Sequence, residues 1–499
     1  MAKRKTRKVT ALPRQRSLRG ARSESLLPVS TTEILSHPEL LVLFATAPTG
    51  LGHLRVTQAL RGGLPPAATP VLLGANDRVW DSLHRITSLH PLARTAFQWI
   101  QHGKQQDAIT AAYRGYLKLT APMYLGTISQ IVHQQIDRPK VILAVATHYG
   151  LAHQLAALKE RVWSELQVRL VVAVQVTDDS PQDIWFVPGA DLIFVPSQRT
   201  RTVLLRYVHE LGLAAPPFVV APYPVSPVLA ERLSPRALAW RQAQLDPGSE
   251  KPIVVSLPVS GAAVGLGFSM KLMDALHRRS GRFVFEVVSR NNAFTFPFLT
   301  RVLQRGFARV QASPDDREVV RAYERAYQST VISLEVTKPS EQAFKALLTP
   351  DLRGGSILLF TPPVGRQEYD NLDFLRRHHL MPEGRVQEAL VRMARDGASL
   401  EREGKEILEA ARSWRALRLP RSAAAAAKFI TWALDQRLLM QMGSYTVSAA
   451  GDPRPSEVSP DGVREFWDAA ARYLVEQIAF PSQRSGAELE LAAPERAAG

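Results

Sequence analysis

The stretch that decides the fold is Leu40 to Leu60, LLVLFATAPTGLGHLRVTQAL. An unbroken apolar run, Leu40 to Ala45, enters a Thr/Pro/Gly turn; Gly50-Leu51-Gly52-His53 follows, and Leu54, Val56, Ala59 and Leu60 then recur at helical spacing. That order predicts a buried parallel strand, a tight glycine loop and a helix whose N-terminus opens at the loop. Glycines let backbone approach a ligand closely, and a first helical turn offers free N–H groups and partial positive charge to an anion or a reacting hydroxyl. An ordinary strand-to-helix turn carries similar letters, so the reading depends on the rest of the chain.

Further strands follow at Pro70 to Leu73, Val141 to Thr147, Leu170 to Val176, Asp191 to Pro196 and Phe218 to Ala221. Apolar strands separated by helical stretches predict a parallel, doubly wound α/β sheet, whose ligands sit beyond the carboxyl ends of the strands. His53, His148 and Asp178 all fall at such ends. Between Asp77 and Gln135 the chain reads as helical, with Trp80, Phe97, Trp99, Tyr113, Tyr116 and Tyr124. Helices of this kind usually bury their aromatics. Beside Arg85, Arg94, Lys104, Arg114 and Lys118 the same rings would instead make a membrane-facing patch, and the residues leave both readings open.

The pattern starts again after a proline-rich connection, Pro222 to Pro252, that holds a polar helix around Arg232 to Gln244. Strands are expected at Pro252 to Leu257, Phe283 to Val288, Val310 to Ala312, Thr330 to Val336 and Ser356 to Phe360. The first runs into a small-residue loop, Ser260 to Gly267, and later ones into Arg290-Asn291, Thr337-Lys338-Pro339-Ser340 and Gly365 to Asn371. An alanine-rich helix, Ser422 to Leu439, and another from Pro460 to Ile478 are expected to pack back on the body. The division this implies is a disordered basic arm 1–35, a first Rossmann-like domain 36–228, a linker 229–250, a second Rossmann-like domain 251–420, helices 421–482 and a flexible tail 483–499. Two such domains create a cleft, the default place for a ligand.

Composition limits the chemistry. With 499 residues the chain exceeds one ordinary core. No cysteine is present, which excludes disulfides, thiolate metal sites and cysteine nucleophiles and fits a reducing cytoplasm. No run approaches the roughly 18 apolar residues of a membrane span. Of the formal charge of +16, nine units sit on Lys3, Arg4, Lys5, Arg7, Lys8, Arg14, Arg16, Arg19 and Arg22, with no acid before Ser23. An arm of this kind binds anionic lipid or nucleic acid, or merely solubilises.

Taken together, Leu40 to Pro382 resembles the GT-B glycosyltransferases of the monogalactosyldiacylglycerol synthase and processive diacylglycerol glucosyltransferase type, to which the enzyme forming lipid II is more distantly similar. The resemblance is carried by Gly50-Leu51-Gly52-His53, by Arg138 to Tyr149, by Val176-Thr177-Asp178 with Trp185 and Asp191, and by the Ser260 to Gly267 loop. Arg290-Asn291, Thr337-Lys338-Pro339, and Gly365 with Gln367-Glu368-Tyr369-Asp370-Asn371 complete it. Three departures stand out. Ser340-Glu341 replaces the family's Gly-Gly, Lys345 stands where the family has a ribose-holding acid, and Arg366 is inserted into the Gly-Gln-Glu run.

The resemblance implies transfer of a hexose from a nucleotide-sugar, UDP-linked, to a lipid hydroxyl, with inversion and without a metal or other cofactor. It implies a cytoplasmic protein peripheral on the inner face of the membrane, with the arm on anionic lipid and nucleic acid a weaker partner. His53 suits the base, since imidazole titrates near neutrality, and Asp178 competes with it. The resemblance makes 36–228 the acceptor-side domain and 251–420 the domain that binds the nucleotide-sugar. Gly50, Gly52 and His148 fall on the acceptor side. Ser260, Gly261, Gly265, Gly267, Arg290, Asn291, Lys338 and Ser340 fall on the donor side, and Gln367, Glu368 and Asn371 stand ready for the sugar hydroxyls. Two rivals remain: a sugar-nucleotide epimerase, and a catalytically degenerate scaffold, which the altered donor loop motivates.

Overall fold

The computed structural model describes residues 30–47, 51–74, 105–259, 263, 265–400, 404–444 and 456–480. The arm through residue 29, Gly50, Trp80, Arg85, Arg94, Phe97, Trp99, Lys104, Ser260, Gly261 and the tail from 481 lie outside the described residues. The expected arm ends earlier than residue 35, because Thr31–Leu35 is a helix capped by Ser30 that buries Ile34 and Leu35.

The first sheet contains β1 (Leu40–Ala45), β2 (Val71–Leu73), β3 (Val141–Ala146), β4 (Arg169–Gln175), β5 (Leu192–Val195) and β6 (Phe218–Val220), in the order β2-β1-β3-β4-β5-β6. Every pairing is parallel. All residues of β1 and β3 are buried, which is why both read as unbroken apolar runs: elements pack on both faces of the sheet, and neither face needs a polar residue. The winding reverses between β1 and β3, so the loops leaving those two strands splay apart and leave a crevice.

The second sheet contains β7 (Ile253–Pro258), β8 (Phe283–Arg290), β9 (Ala308–Ser313), β10 (Leu334–Thr337), β11 (Ile357–Phe360) and β12 (Ala416–Arg418), in the order β12-β11-β10-β7-β8-β9, again all parallel. Its switch point lies between β7 and β10. The second sheet has one strand more than expected, and two strands differ in extent. β12 was not anticipated, because three residues at a sheet edge carry no readable periodicity. β9 is twice the expected length, since its half-exposed face admits Arg309 and Gln311. The strand expected from Thr330 starts only at Leu334, because Thr330 caps the helix Asp316–Ser329.

The connection between the sheets is docked. Its helix, Pro235–Leu245, starts on a Ser234 cap and buries Arg241, which donates to the carbonyls of Pro350, Leu352 and Arg353 at 2.6–2.7 Å. The alanine-rich stretch forms two helices rather than one, Ala423–Asp435 and Leu438–Met442, separated at Arg437 where φ is 59°. The first of them packs on the helix Leu266–Arg279 of the second domain. The last helix, Gly462–Ile478, crosses to the first sheet, where Phe466 lies 4.2 Å from Phe194 and Trp467 Nε1 donates to the Leu60 carbonyl at 2.9 Å. One cluster of buried side chains joins Phe44 and Phe194 to Phe344 and Phe360, so the core runs continuously between the sheets. The architecture is GT-B: two doubly wound α/β domains meeting across a cleft. Among the described residues no helix is long and apolar enough to cross a membrane.

Candidate functional site

The glycine loop after β1 delivers His53 to the first turn of the helix Leu51–Gly62. Its Nδ1 lies 2.6 Å from the Thr147 carbonyl, at the end of β3. A carbonyl only accepts, so Nδ1 carries the proton and Nε2 keeps a lone pair. Burial lowers the pKa of this imidazole, with the Thr147 bond and the charge of Glu341 opposing. Neutral His53 with a free Nε2 is therefore the resting form near neutral pH, as a base requires. Behind it, Thr57 Oγ1 is 2.9 Å from Thr147 Oγ1 and donates to the His53 carbonyl, fixing the turn. His148 is buried beside it, edge-on to His53 at 5.4 Å and stacked on Tyr149 at 4.8 Å.

Asp178 leaves β4 into the same crevice. Burial pushes its pKa up to about 7; the Asn371 amide opposes this, and the charges of Glu341, Glu368 and Asp179 add to it. Its neighbour Asp179 is fully buried and held by Ser197, by Thr200 at 2.7 Å and by Arg377 at 2.6 Å. The two adjacent carboxylates thus have different tasks. Asp179 ties the domains together, while Asp178 faces the cleft with a proton to exchange near neutrality.

On the facing domain Lys338 follows β10, and its ammonium pairs with Glu368 at 3.3 Å. Glu368 also accepts from the Val364 amide at 2.7 Å, at the start of the helix Arg366–Arg377. The helix Leu266–Arg279 opens at Gly265, whose φ of 86° favours glycine, and is the helix that follows β7 in the chain. Gly267 has open space around its Cα. Arg290, at the end of β8, pairs with Asp316 at 3.0 Å; Asn291 and Gln367 are exposed, and Ser340 precedes the short helix Glu341–Leu347.

Asn371 bonds to both sides of the cleft. Its Nδ2 donates to Asp178 at 3.0 Å and to the Pro339 carbonyl at 3.2 Å, and its Oδ1 accepts from the Asp179 amide at 3.0 Å. Lys345 is withdrawn: it is 4% exposed, pairs with Glu335 at 2.7 Å and accepts no solvent role. Burial lowers its pKa to about 8, with Glu335 opposing.

Sequence reasoning missed Arg55. Two residues beyond His53, it reaches across the cleft to an ion pair with Glu341 and lies 5.4 Å from the Tyr323 ring. With its amide oriented to suit the guanidinium, Gln342 accepts from Arg55 Nε at 2.9 Å. The signal was present in the chain: a cation on the turn that carries the histidine, and an acid where the resemblance expects glycine.

No family model and no curated protein sequence matches the chain. Solved structures with a similar backbone include MnaA of S. aureus with UDP, at 10% identity, covering 89% of this chain and 98% of that one, with a TM-score of 0.44. MurG of Acinetobacter baumannii is similar at 12% identity, 87% and 100% coverage and a TM-score of 0.42. Anabaena Alr3699/HepE in complex with UDP and glucose is similar at 13% identity, 88% and 100% coverage and a TM-score of 0.42.

Proposed function

We infer that the chain is an inverting glycosyltransferase that moves a hexose from a nucleotide-sugar, UDP-linked, to a lipid hydroxyl such as that of diacylglycerol. The observation that carries this reading is the His53 tautomer: a neutral imidazole, its Nδ1 tied to Thr147, offers Nε2 at the mouth of a two-domain cleft. His53 Nε2 takes the proton of the acceptor hydroxyl, the freed oxygen bonds to the anomeric carbon from one face, and the bond to the diphosphate breaks on the other. The departing charge falls to Lys338 and to the N–H groups of the helix opening at Gly265. Exposed Tyr116, Leu119 and Met123, beside Lys118, support contact of the first domain with anionic lipid. The basic arm, with nine Lys/Arg before Ser23, supplies further electrostatic attraction to anionic lipid.

The test is calorimetric titration with UDP, GDP and UDP-sugars, repeated on Lys338→Ala. One nucleotide-sugar bound by the protein and weakened in the variant supports the donor site. Turnover with diacylglycerol vesicles then separates transfer from epimerisation, which needs no acceptor. A chain that binds no nucleotide is the scaffold, the reading favoured by Glu341 and Lys345 at the donor loop. Sedimentation with anionic vesicles, with and without residues 1–23, reads the membrane contact.

A further inference from the structure

Beside the continuous core, an ion pair crosses the cleft at the turn that carries His53. Glu341 extends from the second domain onto the first turn of the helix Leu51–Gly62. Its carboxylate pairs with Arg55 and lies so close over Gly52 that a Cβ there would meet Oε2 at 3.0 Å. Arg55 is socketed between Glu341, Gln342 and the Tyr323 ring, all from the second domain. Between Arg55, Tyr223, Tyr323, Glu341, Gln342 and Lys345 there remains a cavity of about 40 Å³. That volume holds a few waters and no nucleotide.

The charges around Glu341 are wrong for a resident diphosphate. Its carboxylate acts electrostatically on both His53 and Asp178, and Glu368 adds a further acid facing Asp178. A nucleoside diphosphate brought into this arrangement meets three carboxylates, while Arg55 is already paired with one and Lys338 with another. Like charges in a cleft of low dielectric repel strongly. A glycine at position 341 would have neither the charge nor the reach.

We propose that Glu341 is an internal anion that latches the cleft through Arg55, and that the diphosphate of the donor opens the site by displacing Glu341 from that guanidinium. The proposal rests on the reading of the cleft as a nucleotide-sugar site. Arg55 then exchanges one anion for another: the Arg55–Glu341 pair is lost, an Arg55–phosphate pair forms, and Glu341 swings away from Gly52 while the buried core between the sheets stays closed. Binding and opening become one event. Any donor too short to reach Arg55 is held at the wrong end of the equilibrium.

Glu341→Gln and Glu341→Gly test this, with UDP and inorganic pyrophosphate as titrants. Both variants are expected to bind UDP about tenfold more tightly than the native chain, a gain of ordinary coupling size. Pyrophosphate alone is expected to show the same gain, since the exchange involves only the phosphates. In an Arg55→Ala background the gain disappears. Native binding of UDP that neither substitution tightens overturns the latch and leaves the nucleotide site standing. Hydrogen exchange of the unliganded proteins reads the latch without any donor. Faster exchange at residues 51–56 and 341–347 in Glu341→Gln is expected, and unchanged exchange overturns the latch. Failure of every protein to bind any nucleotide while exchange does rise retires the nucleotide reading and, with it, the role of the diphosphate, and leaves a closed interdomain contact.

Discussion

Asn371 of the second domain donates its amide to Asp178 of the first at 3.0 Å, and through its carbonyl oxygen accepts from the Asp179 amide. A single side chain thus reads the end of β4 from across the cleft. It also spends its other N–H on the Pro339 carbonyl, beside Lys338. The carboxylate whose pKa burial raises and the loop that carries Lys338 are therefore tied through one side chain.

This placement has a pH signature. The pKa of Asp178 is raised to about 7 in the folded chain, mainly by burial, against 3.8 when unperturbed. Below the lower value both states are protonated and the group is neutral to stability. As pH rises to about 7 only the unfolded chain ionises, so stability falls, and above 7 the loss is complete. Asp178→Asn removes that loss. Urea unfolding at pH 4.5 and pH 8 should show the variant gaining on the native chain by on the order of 2–4 kcal/mol between the two. Equal differences at both pH values would mean that Asp178 ionises normally.

His53 and Asp178 compete for the role of base, and their opposite shifts tell them apart. Burial lowers the histidine and raises the aspartate. With His53 as the base, the acid limb of kcat/KM lies below the ordinary imidazole value of about 6.5. A limb near 7 assigns the role to Asp178. Loss of the base in His53→Ala should lower kcat by roughly 10²–10⁴-fold, with a stability loss of about 1–2 kcal/mol from the broken Thr147 bond.

Lys345 and Glu335 form a buried pair whose members need each other. Glu335 accepts from Lys345 and Tyr323 at 2.7 Å and from Tyr327 at 2.5 Å, and is fully buried. Lys345→Ala strands that carboxylate, at a cost of about 3–5 kcal/mol in urea unfolding. Lys345→Glu, which restores the residue type expected from the resemblance, sets two buried carboxylates together and should destabilise at least as much. Lys345→Met combined with Glu335→Gln should recover most of the loss, because an apolar and hydrogen-bonded replacement leaves no charge unpaired.

The closing helix supports the site from behind. Trp467 packs against Phe44 at 6.2 Å and donates to the Leu60 carbonyl at the end of the His53 helix. Trp467→Ala should cost about 3–5 kcal/mol. The Gly63 position shows how tight this contact is, since a Cβ there would meet Val463 at 2.2 Å. Thermal unfolding of Trp467→Ala and Gly63→Ala should lower the midpoint in both.

The amino-acid sequence alone determined the two parallel sheets and the crevices at their switch points. Strands buried on both faces, such as β1 and β3, must be apolar throughout, and the loops that follow them need glycine or small polar residues. That requirement is local, so each strand and its loop carry it in their own residues. The sequence also placed His53, His148, Asp178 and Lys338 at strand ends. It was silent on who meets whom across the cleft, because those contacts join residues hundreds of positions apart. Asn371, expected beside the sugar, bridges the domains through Asp178 and Asp179. Lys345 read as a damaged donor residue and is the counter-charge of Glu335 on the strand before it. Glu341 read as a departure from glycine, yet only the folded chain brings its carboxylate onto Gly52 and Arg55. Side-chain pairing over such distances is decided by how two finished domains pack, and no period or spacing in the sequence encodes it.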